Sequence, residues 1–203
     1  MTYLAAILLG YFLGCSNMAY WLSLIHRVDI RNQGSGNLGA SNATVLLGWK
    51  AGALVAVHDI GKAVLAVVLA KVLFPQVEAV GAVAGVSCVM GHIFPFYLKF
   101  KGGKGLASFL GMVAVLNWKV GIAVALLLVL ITVVTDFIAL GTISVSLAAP
   151  VGIWLLEGSF VVPLILCVAT VVMVFKHLEN IQRILNRTEI GLRSTAKGEK
   201  RVK

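Results

Sequence analysis

Seven apolar runs, at about residues 3–25, 48–73, 78–98, 105–117, 119–136, 139–156 and 160–176, decide what this chain can become. An α-helix needs roughly 20 apolar residues to cross a hydrocarbon core of about 30 Å, and most of these runs reach that length. They lack the alternation of an outer-membrane barrel strand. Of the 203 residues 60% are hydrophobic and 12% charged, whereas globular domains carry about a quarter charged residues. A soluble fold of this size could not bury so much apolar surface. The expected fold is an all-α integral membrane protein with seven transmembrane helices, a single polytopic domain over 1–203 with a short basic tail from about 177. The fourth run is short and glycine-bearing and is read as tilted or only partly spanning. No lysine or arginine precedes the first run and no small-residue cleavage site follows it, so it reads as a retained span.

The charge pattern orients the chain. Arg27, Arg31, Lys50, Lys99, Lys101, Lys104 and eight basic residues from Lys176 to Lys203 fall in alternate loops on one side. Only Lys71 and Lys119 fall on the other, and Lys62 lies within a span. By the positive-inside rule the basic side is cytoplasmic, with the N-terminus outside and the C-terminus inside. The net charge of +9 then needs no nucleic-acid partner. Cys15, Cys88 and Cys167 sit far apart within apolar runs and read as small buried residues, so no metal site is expected.

The polar sequence collects in three clusters on the basic side. In the first, RNQGSGNLGASN (31–42), Gly34, Gly36 and Gly39 satisfy G-x-G-x-x-G. A dinucleotide fold needs a βαβ unit, which cannot form here. Residues without Cβ still let backbone N–H groups converge on an anion, next to a helix starting near Ser41 or Asn42. Ser35, Asn37, Ser41 and Asn42 add short polar groups. In the second, GHIFPFYLKFKGGKG (91–105), Lys104 lies between glycines at a helix start, where an ammonium and open N–H groups can grip phosphate. Lys99 and Lys101 read as lipid-headgroup anchors. His92 reads equally as a ligand and as a side chain satisfied by backbone. In the third, KHLENIQR (176–183), His177, Asn180 and Arg183 share one helical face. Inside the membrane Asp59 and Lys62 stand at i and i+3 beside His58, for structure or for chemistry.

Jointly these clusters resemble the bacterial acyl-phosphate:glycerol-3-phosphate acyltransferases. The family's loops read like G-S-G-N-x-G-A-T-N, G-H-x-F-P-x-F-x-x-F-K-G-G-K-G and R-H-x-x-N-I-x-R with a downstream T-E. Here they stand as GSGNLGASN (34–42), GHIFPFYLKFKGGKG (91–105) and KHLENIQR (176–183) followed by Thr188-Glu189. The resemblance implies a seven-span enzyme of the bacterial inner membrane with its active site on the cytoplasmic face. Such an enzyme moves a fatty acyl group from acyl phosphate to the 1-hydroxyl of glycerol 3-phosphate, without a cofactor or an obligate protein partner. Carried over by position, Ser35, Lys104, His177 and Asn180 are catalytic, and Gly34, Gly36, Asn37, Gly39, Ser41, Asn42, His92, Gly102, Gly103 and Thr142 bind substrate or phosphate. The departures are Lys176 for arginine, Ser41 for threonine, Ala63 for glycine, and Val45 where the family tends to carry arginine.

The chemistry suits the residues. Acyl phosphate is already activated, so no protein nucleophile is required, and neither a cysteine in a polar loop nor a G-x-S-x-G elbow is on offer. The protein must supply position and charge stabilisation. The hydroxyl proton has two candidate acceptors, His177 and the substrate's own phosphate. Two rival readings stay open: a transporter or binder of small organic phosphates, which the Asp59–Lys62 pair also suits, and a weakened paralogue.

Overall fold

The computed structural model describes residues 1–193, all helix and loop with no strand among them. Lys197, Lys200, Arg201 and Lys203, counted in the basic tail, lie outside the described residues. Two compact helical units form. The first, Met1–Leu116, holds α1 (Thr2–Cys15), α2 (Met18–Ile25), α3 (Ala40–Leu47), α4 (Trp49–Leu73), α5 (Val80–Ile93), a 3-10 turn (Phe96–Leu98) and α6 (Leu106–Leu116). The second, from Asn117 onward, holds α7 (Trp118–Thr135), α8 (Ile138–Glu157) and α9 (Val161–Leu185). Six stretches among the described residues are long and apolar enough to cross a membrane: Thr2–Ile25, Trp49–Leu73, Val80–Leu98, Trp118–Thr135, Ile138–Glu157 and Val161–Leu185.

In the first unit the first apolar run is two helices where one was expected. The backbone is extended at Ser16, and Asn17 restarts the helix, its side chain accepting from the Tyr20 N–H at 2.8 Å. An asparagine that takes an orphan N–H at a helix start is a strong N-cap. Helices α1 and α5 cross at backbone contact. A Cβ at Gly10 would lie 2.1 Å from the Ala84 carbonyl oxygen, and one at Gly91 2.2 Å from that of Tyr11. Small residues allow such approach between apolar helices, where packing must replace the hydrophobic effect.

The fourth run also differs from a full span. Helix α6 has 11 residues, about 16 Å of rise against a core of about 30 Å. It lies along the second half of α4: the Ser108 hydroxyl donates to the Asp59 carbonyl at 3.1 Å, and Lys71 Nζ donates to the Val115 carbonyl at 3.4 Å. The loop before α6 therefore sits level with the middle of α4, not at its end. Irregular backbone at such depth is tolerated where protein satisfies it. Here the last carbonyls of α5 do so, accepting from the Gly102 and Gly103 N–H groups at 3.0 and 3.1 Å.

In the second unit Asn117 caps α7, accepting from the Val120 N–H at 3.2 Å, and donates Nδ2 to Glu157 at the end of α8 at 2.9 Å. Helix α9 runs on past the expected end at 176 to Leu185, so the third polar cluster is a continuation of a membrane helix. The chain then folds back onto the α7–α8 junction. The Leu192 N–H donates to the Asp136 carbonyl at 2.8 Å and the Arg193 N–H to its carboxylate at 2.9 Å.

Candidate functional site

The first glycine loop is organised around one side chain. Asn42, 3% exposed, accepts from the Ser35 N–H at 3.0 Å and donates Nδ2 to the carbonyls of Ile30 at 3.1 Å and Gln33 at 3.3 Å. Its amide thus ties the loop together from inside, while the neighbouring Ser35 and Ser41 are exposed and Asn37 is half-buried. Gly34 and Gly36 have φ of +60° and +69°, the left-handed region that glycine enters without cost. A Cβ at Gly34 would also lie 2.2 Å from Asn42 Oδ1. Gly39 caps α3 with no side-chain acceptor, so capping leaves the first-turn N–H groups without a side-chain partner. At the loop's entrance Asp29 accepts from the Arg31 N–H and Nε and from Asn32 Nδ2, and the Arg31 backbone bond foremost holds its carboxyl below the usual range.

The second loop packs on the first. The Leu38 N–H points to the Gly102 carbonyl at 3.5 Å, and Asn17 Nδ2 donates to the Leu38 carbonyl at 3.3 Å. Leu38 and Ile30 are fully buried beneath. Lys99 and Phe100 both take left-handed φ, which turns the chain back on α5. A Cβ at Gly102 would lie 2.0 Å from the His92 carbonyl oxygen, and one at Gly103 2.0 Å from His92 Nε2, so no larger residue fits either place. Lys99 and Lys101 are exposed and Lys104 is half-buried. The structure therefore brings Gly34, Ser35, Gly36, Asn37, Gly39, Asn42, His92, Gly102, Gly103 and the segment of Lys104 together within the first unit. Most loop N–H groups here are already donated within the protein, so the groups that can hold phosphate oxygens are the uncapped first turn of α3, the exposed Ser35 and Ser41 hydroxyls and an ammonium.

The second unit holds the remaining predicted residues. His177 and Asn180 are buried on α9. His177 Nδ1–H donates to the Met173 carbonyl at 2.7 Å, which can only accept, so Nδ1 carries a proton. Asn180 Nδ2 donates to Glu189 Oε1 at 2.7 Å, and the other carboxylate oxygen of Glu189 accepts from Arg183 Nε at 2.5 Å. Glu189 so fixes which way the Asn180 amide points. Thr142 is buried on α8 and its hydroxyl bonds back to the Ile138 carbonyl at 2.9 Å.

Three features take their meaning only from the structure. Glu189 has no role legible in the sequence, since its spacing of nine residues from Asn180 signals nothing until the chain turns back after α9. Asn17, which ties the first-span break to the glycine loop, is in sequence a single polar residue in an apolar run. Asp59 and Lys62 do pair, as their spacing suggests, but the third member of the cluster, His92, is 30 residues away in sequence from Lys62. Among the described residues no group of three or more His, Cys, Asp or Glu is placed to hold a metal ion.

Known proteins place the chain. A protein of Oceanobacillus iheyensis, glycerol-3-phosphate acyltransferase 1, is 33% identical over 203 residues, covering 96% of this chain and 97% of its own length. The glycerol-3-phosphate acyltransferase of Thermoanaerobacter pseudethanolicus is 38% identical over 189 residues, covering 91% and 93%. Among solved structures, the glycerol 3-phosphate form of PlsY (YgiH), an integral membrane glycerol 3-phosphate acyltransferase, superposes with a TM-score of 0.90 at 29% identity over 97% of this chain and 98% of its own. The lysophosphatidic acid form gives a TM-score of 0.86. Residues 4–187 match the family model for glycerol-3-phosphate acyltransferase, and the chain belongs to that family.

Proposed function

We infer that this chain is a membrane acyltransferase whose acceptor is glycerol 3-phosphate and whose product is lysophosphatidic acid. The finer reading is that acyl phosphate is the donor and the 1-hydroxyl the acceptor, at the cytoplasmic face of a bacterial inner membrane. One observation carries it above all: a glycine-lined loop pair with a half-buried lysine, its second loop set level with the middle of a membrane helix. Phosphate groups bound there leave an acyl chain in contact with apolar surface. The acceptor oxygen bonds to the acyl carbon, the bond from that carbon to the phosphate oxygen breaks, and phosphate leaves with the electron pair. The hydroxyl proton goes to the leaving phosphate or to His177 Nε2.

In this reading Ser35 and Lys104 stabilise charge that develops on phosphate and acyl oxygens. Gly34, Gly36, Asn37, Gly39 and Ser41 line the phosphate site, Asn42 shapes their loop, and Gly102 and Gly103 seat Lys104 there through their close approach to His92. His92 and Thr142 complete the binding residues, and the order and spacing of the motifs assign His177 and Asn180 to the same reaction. The whole chain acts as one polytopic domain with no obligate protein partner. Seven crossings follow if α6, starting level with the middle of α4, carries the chain from the second loop to the far side. That leaves the N-terminus outside and the C-terminus cytoplasmic, as the basic residues require.

The test is purified protein with palmitoyl phosphate and glycerol 3-phosphate, following phosphate and lysophosphatidic acid. Equal release of both is expected. Binding of glycerol 3-phosphate without turnover would leave a binder or transporter, and turnover with acyl thioesters alone would overturn the donor. For topology, Asn37→Cys and Lys101→Cys should be labelled from the cytoplasm only, and Gln76→Cys from outside only. Labelling of positions 37 and 76 from one side would sink the orientation.

A further inference from the structure

Asp59 and Lys62 have no part in the chemistry above, yet they are among the most buried charged groups of the described residues, 2% and 6% exposed. Three acceptors surround Lys62 Nζ: Asp59 Oδ1 at 2.8 Å, the Ser16 carbonyl at 2.8 Å and His92 Nδ1 at 2.9 Å. An ammonium has three protons and no lone pair, so each acceptor receives one. The opposite assignment, a proton on His92 Nδ1 directed to Asp59 at 3.3 Å, would set two donors against each other at the shorter Lys62 contact. His92 Nδ1 is therefore an acceptor, and its neutral ring carries its proton on Nε2. His58 closes the other side of the carboxylate, with Nδ1 at 3.4 Å from Asp59 and Nε2 at 3.1 Å from Ser16 Oγ. Charges at this depth are tolerated as a hydrogen-bonded pair.

His92 Nε2 faces the second glycine loop, since a Cβ on Gly103 would lie 2.0 Å from it. We infer that Lys62, neutralised by Asp59, is a positioning residue for acyl transfer: it holds His92 in the Nε2–H tautomer, so that the ring presents a proton donor to the Gly102–Gly103–Lys104 loop. The other tautomer would turn a lone pair toward a site built for anions. Substrate binding at that loop is the proposed function above, and only the kinetic part of the test depends on it.

The test combines a spectrum with kinetics. Protein labelled with ¹⁵N-histidine in lipid nanodiscs is read by NMR, which separates protonated from bare ring nitrogens, and the His92 signals are assigned by their loss in His92→Gln. Wild type should show Nε2–H. Lys62→Met should switch the ring to Nδ1–H, now donating to Asp59, and lower kcat/KM for glycerol 3-phosphate about tenfold, the scale of one hydrogen bond. A glutamine places its amide nitrogen near Nε2 and an asparagine near Nδ1, so His92→Gln should lose less activity than His92→Asn. A wild-type ring protonated on Nδ1, or a folded Lys62→Met with the tautomer unchanged, would overturn the inference. So would His92→Asn outperforming His92→Gln. If Lys62→Met does not fold, the wild-type spectrum and the His92 pair still decide. If wild type transfers no acyl group, the proposed function fails while the spectrum still reads the tautomer.

Discussion

The two polar regions of this protein are built by opposite means. In the first unit the loops of residues 26–39 and 99–105 hold their shape through backbone: left-handed glycines, N–H groups returned to the end of α5, and one buried asparagine reaching three loop atoms. In the second unit the polar groups ride on one continuous helix, and their aim is set by side chains, with Glu189 between Asn180 and Arg183 and a carbonyl beneath His177. The contrast teaches where each is vulnerable. A backbone cradle is broken by adding atoms, and a side-chain array by removing them.

The strongest test of that contrast is Gly103→Ala. Its Cβ would meet His92 Nε2 at 2.0 Å, and His92 is itself 3% exposed with little room to yield. A displacement near 1 Å at such a site costs about 10²-fold in rate or more, so kcat/KM should fall by at least that, while far-ultraviolet circular dichroism keeps its helical signal. Near-normal activity would mean the loop is not the cradle. Close behind comes Lys104→Ala, expected to lower kcat/KM about 10²-fold through loss of a charged contact in the transition state. The exposed Lys99→Ala should stay within about twofold. Equal losses from the two lysines would replace a specific clamp with general basicity.

Glu189→Gln probes the side-chain array. It keeps the size of the group while weakening its hold on Asn180 and Arg183. Hydrogen bonds to a charged group are worth about 1.5–3 kcal/mol, so a loss of roughly tenfold in kcat is expected with the glycerol 3-phosphate KM moving less. A change confined to KM would move Glu189 to substrate binding. The smallest effect sharpens the comparison at its edge. Val45 is half-buried on α3, beyond the buried Asn42, where the family tends to carry arginine. Val45→Arg should lower the KM for glycerol 3-phosphate up to about tenfold, as one regained charged contact allows, and move the acyl-phosphate KM less. An arginine that does harm would show that another residue, such as Arg31 stacked over Tyr20, already fills the place.

What could be read beforehand depended on how local the cause was. Span positions were legible to within a few residues at most ends, because apolar length is a property of the segment itself. The break at Asn17 was not, since a single N-cap in an apolar run changes hydropathy very little. The short α6 was visible as a short run, but its depth was not: the level of its start is set by contacts with Asp59 and His92, far away in sequence.

By itself the sequence determined that the chain is helical and membrane-embedded, which three stretches hold its polar chemistry, and, through those motifs, the family. Composition, run length and motif order are one-dimensional quantities, and nothing in the folding of distant parts can alter them. Only the tertiary structure decided what each polar residue does. Asn42 supports its loop from within, Glu189 orients Asn180, and Lys62 sets its third proton on His92. A hydrogen bond acts over about 3 Å, and which donor meets which acceptor at that range depends on how the chain turns back between residues 7, 9 or 30 positions apart.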